Sequence, residues 1–220
     1  MFRPSHVVIG ALALIAAACS DDNNFVQVAS TAAVRLVNDT DTPISITTAT
    51  APESAKTTLN FGQASVCVLF QPSINTAPQL TVKNGVTGAS ITVIPVLNPG
   101  DNLTVVAFGG ASGNIQFATL DNRFVPATNG AGLRFFNGVS SASQLIMERR
   151  GVLSPLVAFG AASAFVSVAI DSVTTVFVDR NSVVLDAGLT AFPQGQNSTL
   201  VVGPPAAGTV NLRFFTVQGC

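Results

Sequence analysis

The side chains best suited to chemistry in this chain are acidic. Acid/base hydrolysis of a glycoside needs two carboxyl groups held across a sugar, one of them with a raised pKa. The candidates are Glu53, Glu148, Asp39, Asp41, Asp101, Asp121, Asp171, Asp179 and Asp186. None belongs to a recognisable catalytic motif, and aspartate is also a favoured turn residue. Asn38-Asp39-Thr40-Asp41 alternates oxygen ligands as a calcium loop does, but it lacks the glycine and the distal glutamate of an EF-hand. An ordinary turn is the simpler reading there. Arg35 and Arg134 occupy matching places in Val34-Arg-Leu-Val-Asn38 and Leu133-Arg-Phe-Phe-Asn137. With Asp39 and Asp41 they are the ligand-binding candidates. The competing role for the arginines is a sheet edge, with the stem packed and the head in water or paired with an aspartate. Arg213, in Leu212-Arg-Phe-Phe215, repeats the context at the C-terminus, as a closing strand would.

The only histidine is His6, inside an N-terminal segment expected to be removed. That excludes Ser-His-Asp and Cys-His catalysis and histidine metal ligation from the mature chain. Two cysteines, Cys67 and Cys220, are too few for a structural zinc site. No Gly-x-x-x-x-Gly-Lys phosphate loop is present. We therefore expect no catalytic residue, no cofactor and no metal.

Arg3, the apolar run from Val7 to Ala18 and the small residues Ala16-Ala17-Ala18 make an export signal. The run is shorter than the roughly 20 residues of a membrane-spanning helix. Cys19 directly after the alanines resembles the lipobox of bacterial lipoproteins. The resemblance implies cleavage before Cys19, a diacylglycerol on its thiol and an acylated new N-terminus. Such a multiply acylated end anchors firmly, where a single chain holds only marginally. The alternative is an ordinary secretory signal with a cysteine near its cut site. In enterobacterial lipoproteins an aspartate after the cysteine favours the inner membrane, so Ser20 implies the outer membrane of a bacterial envelope. Residues 1–18 are thus read as signal and 19–32 as a lipidated tether. With Cys19 lipidated, Cys67 and Cys220 remain as an even pair in an oxidising compartment. A disulfide between them would close a loop of about 153 residues, worth at most roughly 5 kcal/mol in the chain-entropy model. Two separate cysteines are the other possibility, and spacing does not choose between them.

Charged residues are only 10% and hydrophobic residues 48%, so Thr, Ser, Asn and Gln must supply most of the polar surface. This is the composition of a folded, β-rich chain. The whole chain carries a net charge of −1, which leaves no basic patch to track a phosphate backbone and argues against a nucleic-acid partner. Trp and Tyr are absent, which argues against an outer-membrane barrel with aromatic girdles.

The chain also repeats itself. Besides the arginine strands, Phe61-Gly-Gln-Ala-Ser65 recurs as Phe159-Gly-Ala-Ala-Ser163. Gly100-Asp-Asn-Leu-Thr-Val-Val106 recurs as Gly195-Gln-Asn-Ser-Thr-Leu-Val201. The order is preserved and the offset stays at about 95–99 residues, the mark of tandem units and not of a short-repeat solenoid. The join falls in the turn-rich stretch 121–130. Alternating Val, Thr, Ile and Phe predict strands at 33–38, 43–49, 64–70, 78–83, 90–96, 103–108 and 114–120. The second copy gives 132–137, 143–149, 163–170, 173–179, 182–186, 198–203 and 209–217. A hairpin is expected to turn near 180–182. Period two puts Val34 and Leu36 on one face of the first strand, and Arg35 and Val37 on the other. Roughly seven short strands in about 90 residues fit an immunoglobulin-like sandwich. The expected architecture is all-β, with sandwich domains at 33–124 and 125–220.

These landmarks resemble the family catalogued as domain of unknown function 4397. The matching elements are the Arg35 strand with the Asp41-Thr-Pro43 turn, the Phe61 and Phe159 segments, the Gly100 and Gly195 strands, and the join running from Asp121 through Pro126 to Gly130. The second copy lacks the Asp-x-Pro turn. The resemblance spans most of residues 33–220 and implies an exported, sandwich-like β-domain, often in tandem and often lipid-anchored. It implies no activity. The expected role is structural, or recognition of an envelope protein or glycan, with the lipid holding the chain to the membrane. The alternative is a carbohydrate-active hydrolase or small-ligand binder using carboxylates between the domains.

Overall fold

The computed structural model describes residues 31–48, 58–70, 80–93, 96–109, 114–140, 144–149, 152–153, 155–169, 174–180, 183–190, 192–209 and 212–220. Cys19, the signal and nearly all of the tether lie outside them, as do Glu53 and Asp171. Every regular element among the described residues is a strand. The first half carries β1 (Ala32–Asp39), β2 (Ile44–Thr48), β3 (Thr58–Leu59), β4 (Val68–Phe70), β5 (Leu80–Asn84), β6 (Ser90–Val93), β7 (Asn102–Phe108) and β8 (Gln116–Asp121). The second half carries β9 (Gly130–Asn137), β10 (Gln144–Arg149), β11 (Val152–Leu153), β12 (Val157–Ala158), β13 (Val166–Ala169), β14 (Thr174–Arg180), β15 (Val183–Thr190), β16 (Asn197–Gly203) and β17 (Arg213–Gln218).

Four sheets result, two from each half. The first half gives β4-β1-β7-β8 and β3-β2-β5-β6. The second gives β13-β9-β16-β17 and β11-β10-β14-β15, with β12 also on β10. The halves use the same plan: β1 runs parallel to β7, as β9 does to β16, and the other pairings are antiparallel. The all-β, multi-sheet architecture agrees with a β-sandwich, while the strand order differs from the common immunoglobulin arrangement. In that fold the first, second, fourth and fifth strands share a sheet, whereas here the first strand pairs with the fourth and seventh and leaves the second to the opposite sheet. A composition-based strand list cannot see this, because pairing is set by long-range packing. Arg180 lies opposite Val183 across the antiparallel β14 and β15, while 181–182, where the hairpin was expected to turn, lie outside the described residues.

Alternation explains the cores. Val34, Leu36, Leu103, Val105 and Ala107 point from β1 and β7 towards Ile44, Leu59, Leu80 and Val82 of the facing sheet. Leu133, Phe135, Leu200 and Val202 do the same in the second half, against Leu145 and Val157. The opposite faces of the two central sheets are also apolar. Val37, Val106, Phe108 and Leu120 meet Phe136, Val201 and Val217 in a third core that joins the halves. Both faces of these sheets are therefore buried, which is why β7 and β16 read as apolar runs. Phe108 stands edge-on to Phe136 and to Phe159, and Phe61 edge-on to Phe215. Each half thus sends the phenylalanine of its Phe-Gly motif against the other half.

The repeated Phe-Gly-x-Ala-Ser segment was expected to open a strand at 64–70 and again at 163–170, but the ladders start only at Val68 and Val166. A turn and a serine stand in for the missing part. Gly62 N–H donates to Asn38 O (2.9 Å), and Gly160 N–H to Asn137 O (2.7 Å). Ser65 Oγ accepts from Leu36 N–H, and Ser163 Oγ from Phe135 N–H, both at 3.0 Å. The hydroxyls replace a backbone acceptor, so no donor of the buried strand is left unpaired. Gly160 adopts a φ of +76°, and a Cβ there would lie 2.7 Å from Phe108 Cζ. Gly195 has a similar φ of +72° with nothing nearby. Chemical denaturation should therefore show Gly195→Ala losing about 1 kcal/mol to backbone strain and Gly160→Ala about 2–3 kcal/mol, because the latter also displaces an interfacial ring. Equal losses would mean that the joint yields freely.

Candidate functional site at the joint between the halves

Arg35 and Arg134 are not at sheet edges. They stand on β1 and β9, inside their sheets, on the face that meets the other half. Each reaches the C-terminal tail of the other half. Arg134 is buried; its Nη1 donates to Asp121 O (2.7 Å), its Nη2 to Asn122 Oδ1 (2.6 Å) and its Nε to Thr199 Oγ1 (2.8 Å). Its guanidinium also lies 4.4 Å from the centroid of the Phe165 ring, a cation–π contact that desolvation strengthens. Burial pushes its pKa down to about 10, with Asp121 acting against that shift, so the side chain stays charged at neutral pH. Arg35 mirrors it: Nη1 donates to Gln218 O (2.6 Å) and Nη2 to Cys67 Sγ (3.1 Å), while buried Nε has no partner. Burial lowers its pKa as well. Each guanidinium thus bonds acceptors of its own half and of the half across the joint.

The third arginine completes the pattern. Arg213 on β17 bonds Asp41, donates from Nε to Pro204 O (2.8 Å) and covers the Phe61 ring at 3.4 Å from its centroid. Asp41 therefore serves as an ion-pair partner between the halves. Asn38 spends its side chain on the turn: Oδ1 accepts from Thr40 N–H (2.8 Å) and Oγ1–H (2.7 Å), and Nδ2 donates to Thr42 O and Leu59 O. The four residues 38–41 consequently do not converge on a common point as a calcium loop would. Among the described residues no three His, Cys, Asp or Glu side chains gather as a metal-binding group.

Asp39 is the unusual group. It is fully buried, and neither carboxyl oxygen has a hydrogen-bond partner. It projects into the other half, where a Cβ on Gly138 or on Gly203 would collide with its carboxyl oxygens. Gly138 holds the position after Asn137 that Asp39 holds after Asn38, so carboxyl and glycine face each other across the joint. Desolvation raises the Asp39 pKa well above its ordinary value; Arg213 opposes this and Asp41 adds to it.

Asp101 and Asp121 are tied to an arginine. Arg123 lies 3.1 Å from Asp101 Oδ1 and 2.6 Å from Asp121 Oδ2. Its hydrogen bonds hold Asp121 below the usual carboxylate range. Glu148, Asp179 and Asp186 fall on β10, β14 and β15 in the outer sheet of the second half, away from the joint.

Cys67 and Cys220 are joined in a disulfide, with Cα atoms 5.7 Å apart and a sequence separation of 153. The bond ties β4 of the first half to the tail of β17 in the second. At the corresponding place in the second half, Phe165 fills the position of Cys67 and stacks on Phe124, just beyond β8, at 5.2 Å between centroids. One end of the joint is therefore closed by a covalent bond and the other by an aromatic stack. Asn102 and Asn197 support these tails. Asn102 Oδ1 accepts from Cys220 N–H (3.1 Å), and Asn197 Nδ2 donates to Asn122 O (2.7 Å) and Phe124 O (2.8 Å). In the sequence these asparagines read as turn residues within Asn-x-Thr triplets; the signal of their shared role was the third position of the Gly100 and Gly195 motifs. Comparison with protein-family models and with curated proteins finds no match to this chain.

Proposed function

We propose that this chain is a lipid-anchored protein of a bacterial cell envelope with a structural or recognition role. In this reading two tandem β-sandwich repeats, 33–124 and 125–220, stand behind a cleaved signal and a tether ending at residue 32, and Cys19 carries the lipid. Ser20 favours the outer membrane, and the likeness to the domain of unknown function 4397 family belongs to the same reading. The partner is an envelope protein or a glycan.

The supporting observation is where the reactive side chains go. Arg35, Arg134, Arg213 and Asp41 are all engaged in holding the halves together. Asp39 is sealed between glycines. Such a joint suits a stiff support, leaving loops and sheet edges as the surfaces for contact. The anchor is tested by Cys19→Ala, which should abolish fatty-acid labelling and move the protein into the soluble fraction. Labelling that survives the substitution would remove the anchor from this account. The role is tested by crosslinking in intact cells, where a specific envelope protein or glycan should be captured. Turnover of model glycans that Asp→Asn changes abolish would replace recognition with hydrolysis.

A further inference from the structure

The two ends of the joint are chemically unequal, and the inequality sits at a sulfur. The aromatic end needs no covalent bond: Phe165 stacks on Phe124 beneath the Arg134 guanidinium. At the other end the equivalent position, just before β4, is Cys67, bonded to Cys220. Cys220 is exposed at the end of the chain and Cys67 is half-buried. The Arg35 guanidinium contacts the Cys67 sulfur, with Nη2 3.1 Å from Cys67 Sγ, and its Nη1 donates to the Gln218 carbonyl near Cys220. A cation beside a sulfur stabilises its thiolate and makes it the better leaving group, while exposure decides which sulfur is attacked.

We infer that Cys67–Cys220 is an exchangeable disulfide, a redox latch opened by an external dithiol at Cys220 with Cys67 as the leaving thiolate. A thiolate of the dithiol forms a bond to Cys220 Sγ. The Cys67–Cys220 bond breaks, and its electron pair leaves on Cys67 Sγ beside Arg35. The second thiol of the reductant then attacks the mixed disulfide at the reductant's own sulfur. Cys220 departs and takes up a proton, the reductant becomes a disulfide, and the protein has gained two electrons. The end of β17 and its tail then keep their contacts with Arg35 and Asn102 but lose the covalent tie to the first half, whereas the Phe124–Phe165 end stays closed. The inference does not depend on the proposed anchor, because the chain from residue 20 onwards, purified with its disulfide formed, contains every group involved.

Reduced glutathione, a single thiol, traps the first step. Mass spectrometry should find the added glutathione on Cys220 and a free thiol at Cys67; glutathione on Cys67 would overturn the assignment. Reduction by dithiothreitol should slow about tenfold in Arg35→Gln, because the leaving thiolate loses its cation. Arg35→Lys should restore most of the rate. Faster reduction in Arg35→Gln would mean that general opening controls access, and a lysine variant as slow as the glutamine one would mean that charge is not the agent. Either result rejects the proposal. In Cys220→Ser, alkylation of Cys67 should titrate below the ordinary thiol value of about 8.5 and return to it when Arg35→Gln is added. A midpoint at or above 8.5 in the single variant also rejects it. On reduction, hydrogen exchange should quicken in 213–218 and not in 116–121; an equal change in both would exclude a one-ended latch.

Discussion

Arg134→Ala should destabilise the protein by about 3–5 kcal/mol in chemical denaturation, the largest loss expected from any single surface-type side chain here. The truncation removes a buried cation that donates to Asp121 O, Asn122 Oδ1 and Thr199 Oγ1 and caps the Phe165 ring. Asn122 and Thr199 are themselves buried, so water does not simply replace the lost donor. Asn122 retains its contacts with Thr104 and Asn102, which keeps the loss below the sum of three charged hydrogen bonds. Arg134→Lys should recover little, since an ammonium does not present a planar fork to three acceptors in different directions. Arg35→Ala should cost less, because only two of its nitrogens have partners, its Nε is already unpaired and the disulfide spans the same end. A lysine variant as stable as the native chain, or equal losses at the two arginines, would show that the fork geometry is not what holds the joint.

The same contacts explain how much of this architecture was legible in the sequence. Apolar alternation placed β1, β7 and β16 within a residue of their observed bounds and β9 within two, because those strands are long and buried. It also separated Val34 and Leu36 from Arg35 and Val37 correctly, and they lie in different cores or faces. Short strands such as β3, β11 and β12 were not visible, since two residues carry no period. The Phe-Gly-x-Ala-Ser segments looked like strands because of their composition, but a serine hydroxyl does there what a ladder would do. The arginines were legible as a repeated position and illegible as to partner. Alternation gives the face of a strand, and only packing shows that a second sheet lies against that face. The glycines opposite Asp39 carried the missing information. Asn38-Asp39 in one copy and Asn137-Gly138 in the other differ at one position, and the larger side chain of the first fills the space left by the second.

Asp39 should give the protein an inverted acid response. Its pKa in the folded chain is raised by burial, with Asp41 adding to the shift and Arg213 limiting it. An unfolded aspartate titrates near its ordinary value of about 3.9. Between that value and the raised one the folded state holds the proton and the unfolded state does not. Stability therefore falls as pH rises through this window, by up to about 1.4 kcal/mol per pH unit, and levels off above the folded pKa. Asp121 acts in the opposite sense, because its pKa is lowered; its contribution is present above the ordinary value and fades as pH falls through the lowered one. The two windows lie on either side of the ordinary carboxylate value, so denaturant midpoints measured from pH 3 to pH 8 separate them. Asp39→Asn keeps the shape that fits against Gly138 and Gly203 but has no charge to desolvate. It should match the native chain near pH 4, exceed it at neutral pH and show no fall between. Gly138→Ala must push the carboxyl aside and should destabilise the native chain more than it does Asp39→Gly, where the space has been vacated. A native stability that rises steadily from pH 4 to pH 7, unchanged by Asp39→Asn, would mean that water or a cation reaches this carboxylate and that the joint is not sealed around it.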